Sequence, residues 1–127
     1  MENFREPILI PIPLASKRKK ERGFNQAELL CQKLVNIDKN NNFILEKNVL
    51  IKTKDQEHQA RLKDRRDRLA NIIGSFSIKN PKEMQKIKNR NIILIDDVIT
   101  TGATLSEARK TLKQFGAKKV IAFTIAH

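Results

Sequence analysis

Two adjacent carboxylates, Asp96 and Asp97, stand four and three residues before Thr100 of Thr100-Thr101-Gly102-Ala103-Thr104, between an apolar run and a helical pattern. Apolar Ile92–Ile95 precedes the acids, and Leu105, Ala108, Leu112 and Phe115 recur downstream at helical spacing. In open parallel sheets, ligands bind beyond the carboxyl ends of strands, at helix N-termini. A helix start offers unpaired N–H groups and the positive end of the helix dipole. Gly102 permits a tight backbone approach, and Thr100, Thr101 and Thr104 add hydroxyl donors. Each charge-assisted bond to a phosphate is worth roughly 1.5–3 kcal/mol, so several together hold a monophosphate well. The acids would repel that phosphate directly. They suit the hydroxyls of a vicinal diol, or Mg²⁺ held through water. A diol close to a phosphate describes a phosphorylated ribose.

Other phosphate sites fit less well. A Walker A loop needs Gly-Lys-Ser/Thr, which does not occur. A dinucleotide fingerprint needs Gly-x-Gly-x-x-Gly with an acid about 20 residues later, whereas here the acids come first. A phospho-acceptor aspartate would use an acidic cluster but leaves Thr-Thr-Gly-x-Thr unexplained. The bland alternative is that the acids end a strand and Thr104 caps a helix. The order of strand, acids, Thr-Gly turn and helix favours a ligand.

The elements that position these residues can be read along the chain. Ile8–Leu14 reads as a short buried strand, confined by its prolines to a strand end or an edge. A helix is expected from Asn25, with Ala27, Leu30, Cys31, Leu34 and Val35 inward and Asn25 or Gln26 near its N-cap. Cys31 is thereby a core residue and not a nucleophile. Asn36–Asn42 reads as a loop, and Val49–Ile51 is the best strand within 43–52. Lys54–Ala70 carries only Leu62 and Leu69 as large apolar residues and reads as a mobile arm. Ile72–Ile78 reads as a strand with Gly74 a candidate bulge, and Pro81 as a turn or helix start. Asn91–Ile95 and Val120–Ala126 flank a helix with Gly116 at its C-cap, giving a βαβ unit and a parallel sheet.

Composition bounds the rest. The 127 residues suit one domain, 39% apolar and 31% charged, with six Phe and no Trp or Tyr. No run approaches the roughly 18 apolar residues of a membrane span, so membrane insertion is not expected. The N-terminus lacks a signal-peptide pattern, and Cys31 stands alone, which together point to the cytoplasm. The net charge of +12 favours polyanionic partners. Its cations gather in Lys17–Arg22, Arg61–Arg68, Lys79–Arg90 and Arg109–Lys119, and most read as a solvated basic surface.

The stretch Ile92–Thr104 resembles the phosphoribosyl pyrophosphate-binding motif of type I phosphoribosyltransferases. Pro11-Ile12-Pro13-Leu14, Lys17-Arg18, Arg22-Gly23-Phe24-Asn25-Gln26, Gln59-x-x-Leu62, Arg68-x-x-Asn71 and Phe76 are similar to the ComF (competence protein F) branch. The resemblance runs from about Pro11 to Ala126. It implies an α/β fold, a phosphoribosyltransferase-like parallel sheet flanked by helices with a flexible loop, as a single domain over 1–127. Asp96 and Asp97 would bind the ribose hydroxyls, and Thr100, Thr101, Gly102, Ala103 and Thr104 the 5-phosphate. Arg18, Arg22 and Gly23 would meet the pyrophosphate. Lys54–Asn71 would close over the ligand, with Arg68 stabilising the departing pyrophosphate. Mg²⁺ is implied as its counter-ion, with no direct protein ligand assigned. The family's N-terminal zinc-binding segment with paired cysteines is not in this sequence, and no acceptor-selecting hood is evident. The implied activity is Mg²⁺-dependent transfer of phosphoribose to an unidentified acceptor. The alternative is a non-catalytic DNA-uptake accessory that binds single-stranded DNA, although the Phe residues mostly look like core. A homodimer is compatible with the family.

Overall fold

The computed structural model describes residues 6–13, 25–38, 40, 42–53, 74–97 and 102–125. In chain order these form β1 (Ile8–Pro11), α1 (Gln26–Ile37), β2 (Ile44–Leu45), β3 (Leu50–Lys52), β4 (Phe76–Ile78), α2 (Pro81–Ile87), β5 (Asn91–Asp97), α3 (Gly102–Gln114) and β6 (Lys119–Ile125). Among the described residues, β2-β1-β5-β6 make a parallel sheet, and β3 and β4 make a separate antiparallel pair. The expected parallel α/β fold with flanking helices is present.

The centre of the sheet is β1 against β5, in register from Ile8↔Ile92 to Pro11↔Ile95. Side chains alternate between faces along a strand. Ile8, Ile10, Ile12, Ile92 and Leu94 therefore share one apolar cluster with Ala108 and Leu112 of α3 and Leu50, Phe76 and Ile78 of the hairpin. Leu9, Ile93 and Ile95 point the other way, to Ala27, Cys31 and Val35 of α1. A continuous apolar run is what a strand covered on both faces requires.

The prolines of β1 are accommodated at its end, as expected, although β1 is interior. The carbonyls of Pro7 and Leu9 accept from the Ile44 and Glu46 N–H groups, so odd-numbered residues face β2. Pro11 falls beyond the last of those bonds, where β2 has already ended at Leu45 and no further ladder pair forms.

Caps follow the sequence closely. Asn25 is the N-cap of α1, and its Oδ1 accepts from the N–H groups of Ala27 (3.0 Å) and Glu28 (3.4 Å). Asn80 caps α2 through the Glu83 N–H at 2.9 Å, with Pro81 in the first turn. Gly116, at φ +109°, closes α3: its N–H donates to the Lys113 carbonyl and the Ala117 N–H to the Leu112 carbonyl. That is a Schellman arrangement, and the buried Ala117 and Leu112 supply its apolar contact.

Several expectations need correction. The 43–52 stretch is split between two sheets, as β2 and β3, and β3 starts at Leu50, one residue late. Gly74 is no bulge but a turn residue at φ +74°, and the strand begins only at Phe76. The helix from Asn25 runs on to Ile37, into the expected loop. Leu34 is 39% exposed and not core, because α1 lies over β1, β2 and β5 and nothing described covers its far side. Phe115 is 37% exposed, since α3 has ended by Gln114 and the ring leaves the helix's inner face, which Thr104 and Thr111 occupy instead. The Lys54–Ala70 arm lies outside the described residues.

Cys31 is buried as expected, and burial, with the Glu28 carboxylate adding to it, pushes its thiol up to about 12. The unfolded thiol ionises near 9.0, so its contribution to stability is intact below that pH and lost progressively between 9 and about 12. A thiol reagent at neutral pH is expected to label Cys31 only after denaturation; rapid labelling of the native chain would contradict this burial.

Candidate functional site

The two crossovers leave the central β1/β5 pair in opposite directions: β1 passes through α1 to β2, and β5 through α3 to β6. Both are parallel connections, and right-handed crossovers leading opposite ways put α1 and α3 on opposite faces. The two apolar clusters show this arrangement. The strand order thus reverses between β1 and β5. The crevice beyond their carboxyl ends is where an open α/β sheet binds ligands.

Asp96 and Asp97 are the last two residues of β5, opposite Thr124 and Ile125 of β6, so the acids belong to the strand and do not follow it. Asp96 is only 3% exposed. Helix α3 begins at Gly102, with Ala103 half-buried and Thr104 buried in its first turn. Thr104 is therefore inside the helix and is not its cap. Among the described residues, and apart from its own helix and chain neighbours, no atom lies within 4 Å of where a Cβ on Gly102 would stand, so the described part of the fold does not demand glycine there. No acidic residue occupies the first turn of α3. Thr100 and Thr101 lie outside the described residues.

The other side of the crevice is organised by Asn25. Its Nδ2 donates to the Ile12 carbonyl at 2.9 Å while its Oδ1 caps α1, and the Ile12 N–H donates to the Ile95 carbonyl at 2.9 Å. This chain of bonds joins both ends of the 14–24 segment to the strand that carries Asp96. Arg18, Arg22 and Gly23 belong to that segment and lie outside the described residues, as does Arg68.

The 54–73 segment is likewise held at its two ends. Thr53 donates from its N–H to the Ser75 carbonyl (2.7 Å) and from its Oγ1 to the Gly74 carbonyl (2.8 Å). The Gly74 N–H donates to Glu107 Oε1 of α3 at 2.9 Å. The acids, the start of α3 and the base of the 14–24 segment thus share the carboxyl edge, and the base of the 54–73 segment is bonded to the second turn of α3. Neither the Asn25–Ile12 bond nor the Gly74–Glu107 bond was foreseen. Asn25 signals only a helix cap, and a pair 33 residues apart leaves no local trace.

Asn25→Ala would leave two helix N–H groups and the Ile12 carbonyl unpaired. It is expected to cost about 1–3 kcal/mol in a urea titration, with Asn25→Ser, which keeps the cap but is too short to reach Ile12, falling between. Equal stability of all three chains would show that the clamp is not needed.

The phosphoribosyl transferase domain family matches residues 21–127. Competence protein F of Haemophilus influenzae is 36% identical over 121 residues, covering 93% of this chain and 49% of that protein. Competence protein ComFC of Bacillus subtilis is 40% identical over 119 residues, covering 93% and 43%. DNA utilization protein YhgH of Escherichia coli O157:H7 is 31% identical over 112 residues, covering 88% and 45%. The chain spans about half the length of these curated relatives. No solved structure matches. With the motif, the switch-point geometry and these similarities in agreement, the chain belongs to the phosphoribosyltransferase family, on its competence protein F (ComF) branch.

Proposed function

We propose that the chain binds phosphoribosyl pyrophosphate, or another phosphorylated ribose, at the carboxyl ends of β1 and β5, and that it transfers phosphoribose with release of pyrophosphate. The observation that carries this reading is Asp96, buried at the end of the central strand beside the start of α3. A carboxylate at the end of a strand beside the switch point faces the crevice where such sheets bind ligands, and the ribose hydroxyls are donors of the kind it accepts from. Asp96 and Asp97 hold the diol, and Thr100 to Thr104 hold the 5-phosphate. Arg18, Arg22 and the Gly23 backbone meet the pyrophosphate. The acceptor's lone pair forms a bond to the anomeric carbon as the bond to pyrophosphate breaks and its electrons leave with that group. Arg68 stabilises the departing charge.

Mg²⁺ fits this donor set. Among the described residues no three His, Cys, Asp or Glu side chains gather to hold a metal. Mg²⁺ needs no such cage when one or two carboxylates, waters and phosphate oxygens complete its shell. When bound it would neutralise charge on the pyrophosphate. Among the described residues no helix is long and apolar enough to cross a membrane.

A second reading is favoured by the names of the relatives, competence and DNA utilization proteins, and by the net charge of +12. In it the chain serves DNA uptake without catalysis and binds single-stranded DNA.

Calorimetry with phosphoribosyl pyrophosphate and Mg²⁺ tests the first reading. Saturable binding is expected, lost by more than tenfold in Asp96→Asn/Asp97→Asn; no binding by the folded wild-type chain would overturn it. Gly102→Ala separates ligand from fold. Alanine favours a helix over glycine by up to about 1 kcal/mol, so the thermal midpoint should hold or rise while affinity falls. Unchanged affinity would remove the first turn of α3 from the site.

A further inference from the structure

The amino ends of β5 and β6 form the pole of the sheet opposite the candidate site. There the 88–90 and 115–118 connections are bonded to each other. The Asn89 N–H donates to the Gly116 carbonyl at 2.7 Å, and the Lys118 N–H to the Arg90 carbonyl at 2.8 Å. The Lys88 stem lies 3.6 Å from where a Cβ on Gly116 would stand, and Lys113 Nζ donates to the Lys118 carbonyl at 3.0 Å. Lys88, Arg90, Lys113, Lys118 and Lys119 are thereby gathered on one surface, four of them exposed and Arg90 half-buried. Among the described residues the ion pairs engage Lys47 and Lys86, and none engages these five.

Helices α2 and α3 both end at this pole, and each end carries about half a negative charge. Five full positive charges outweigh two halves. The carbonyls at the end of α3 are also partly covered, because the Gly116 turn takes those of Leu112 and Lys113, and Glu6, whose carbonyl accepts from Arg90 at 3.2 Å, subtracts only one charge from the five. Charge alone would suit any polyanion. Phe115 narrows the choice, because this aromatic residue is 37% exposed in the stretch between Lys113 and Lys118. A positively charged track with an exposed aromatic ring is how proteins hold single strands, through phosphate neutralisation and base stacking. A duplex hides its base faces and gains nothing from such a ring.

We infer that this pole is a docking surface for single-stranded DNA, with Phe115 stacking a base between phosphates neutralised by Lys88, Arg90, Lys113, Lys118 and Lys119. The inference rests on the second reading above and gives it a location separate from the phosphoribosyl crevice. Both poles can be tested on the same chain, by fluorescence anisotropy of a labelled oligothymidine across a salt series. Wild type and Asp96→Asn/Asp97→Asn are expected to bind alike, and a duplex more weakly. Phe115→Leu, which keeps an apolar side chain without a π-face, should weaken the single strand at least about fivefold. Lys113→Gln/Lys118→Gln should lower the slope of log K against log salt by about 1.4, at roughly 0.7 per phosphate contact. Variants that bind as wild type, or a duplex bound equally well, would overturn the surface. Oligothymidine binding abolished in the Asp96/Asp97 variant, or displaced by phosphoribosyl pyrophosphate, would move the strand to the carboxyl-edge crevice. No oligothymidine binding at all would overturn both the surface and the second reading, leaving the phosphoribosyl assignment to its own calorimetry.

Discussion

Everything in this fold is referred to one four-residue ladder, β1 on β5 from Ile8↔Ile92 to Pro11↔Ile95. Because pleated side chains alternate, that register decides which isoleucines meet α3 and which meet α1. A slip by one residue would exchange the two sets and place Asp96 toward the opposite face. The bond from the Ile12 N–H to the Ile95 carbonyl extends the ladder by one step beyond the strand. Asn25 then attaches the start of α1 to that same step. Register, helix entry and the mouth of the crevice are thus fixed by one short run of bonds.

Most of the architecture was legible because local signals agreed with the global fold. Asn25, Asn80, Pro81 and Gly116 each sit where capping chemistry calls for them, and Ile92–Ile95 could only be a strand covered on both faces. The strand, acids and helix start of the candidate site were readable in the same way. What failed were inferences about partners distant in sequence. Leu34 and Phe115 have the right spacing for core residues, yet among the described residues nothing covers Leu34 and α3 has ended before Phe115. Periodicity identifies the apolar side of a helix but not how far the opposing layer extends. The division of 43–52 between two sheets was equally hidden, since β-propensity does not say which partner a strand will choose.

The sheet also separates the chemistry into two ends. The carboxyl edge holds Asp96 and Asp97 and the start of α3, whereas the amino edge collects lysines around the Asn89–Gly116 bond. In a parallel sheet this polarity is unavoidable, because every strand begins at one edge and finishes at the other. The acids cannot neutralise the lysines across the body of the domain, so a strongly basic chain keeps a local acidic centre.

Helix α3 runs back from the carboxyl edge to the amino edge. Its 13 residues make a rod about 20 Å long, with Gly102 at one tip and Phe115 just past the other. The Schellman closure fixes the far tip, and Ala108 and Leu112 seat its middle against the sheet. A rod so held moves as a unit or not at all. Any axial displacement accompanying phosphate capture at Gly102 would be delivered undiminished to Phe115. Reciprocity sets one factor in both directions for whatever coupling the rod carries, and complete exclusion of one ligand by the other lies outside such coupling.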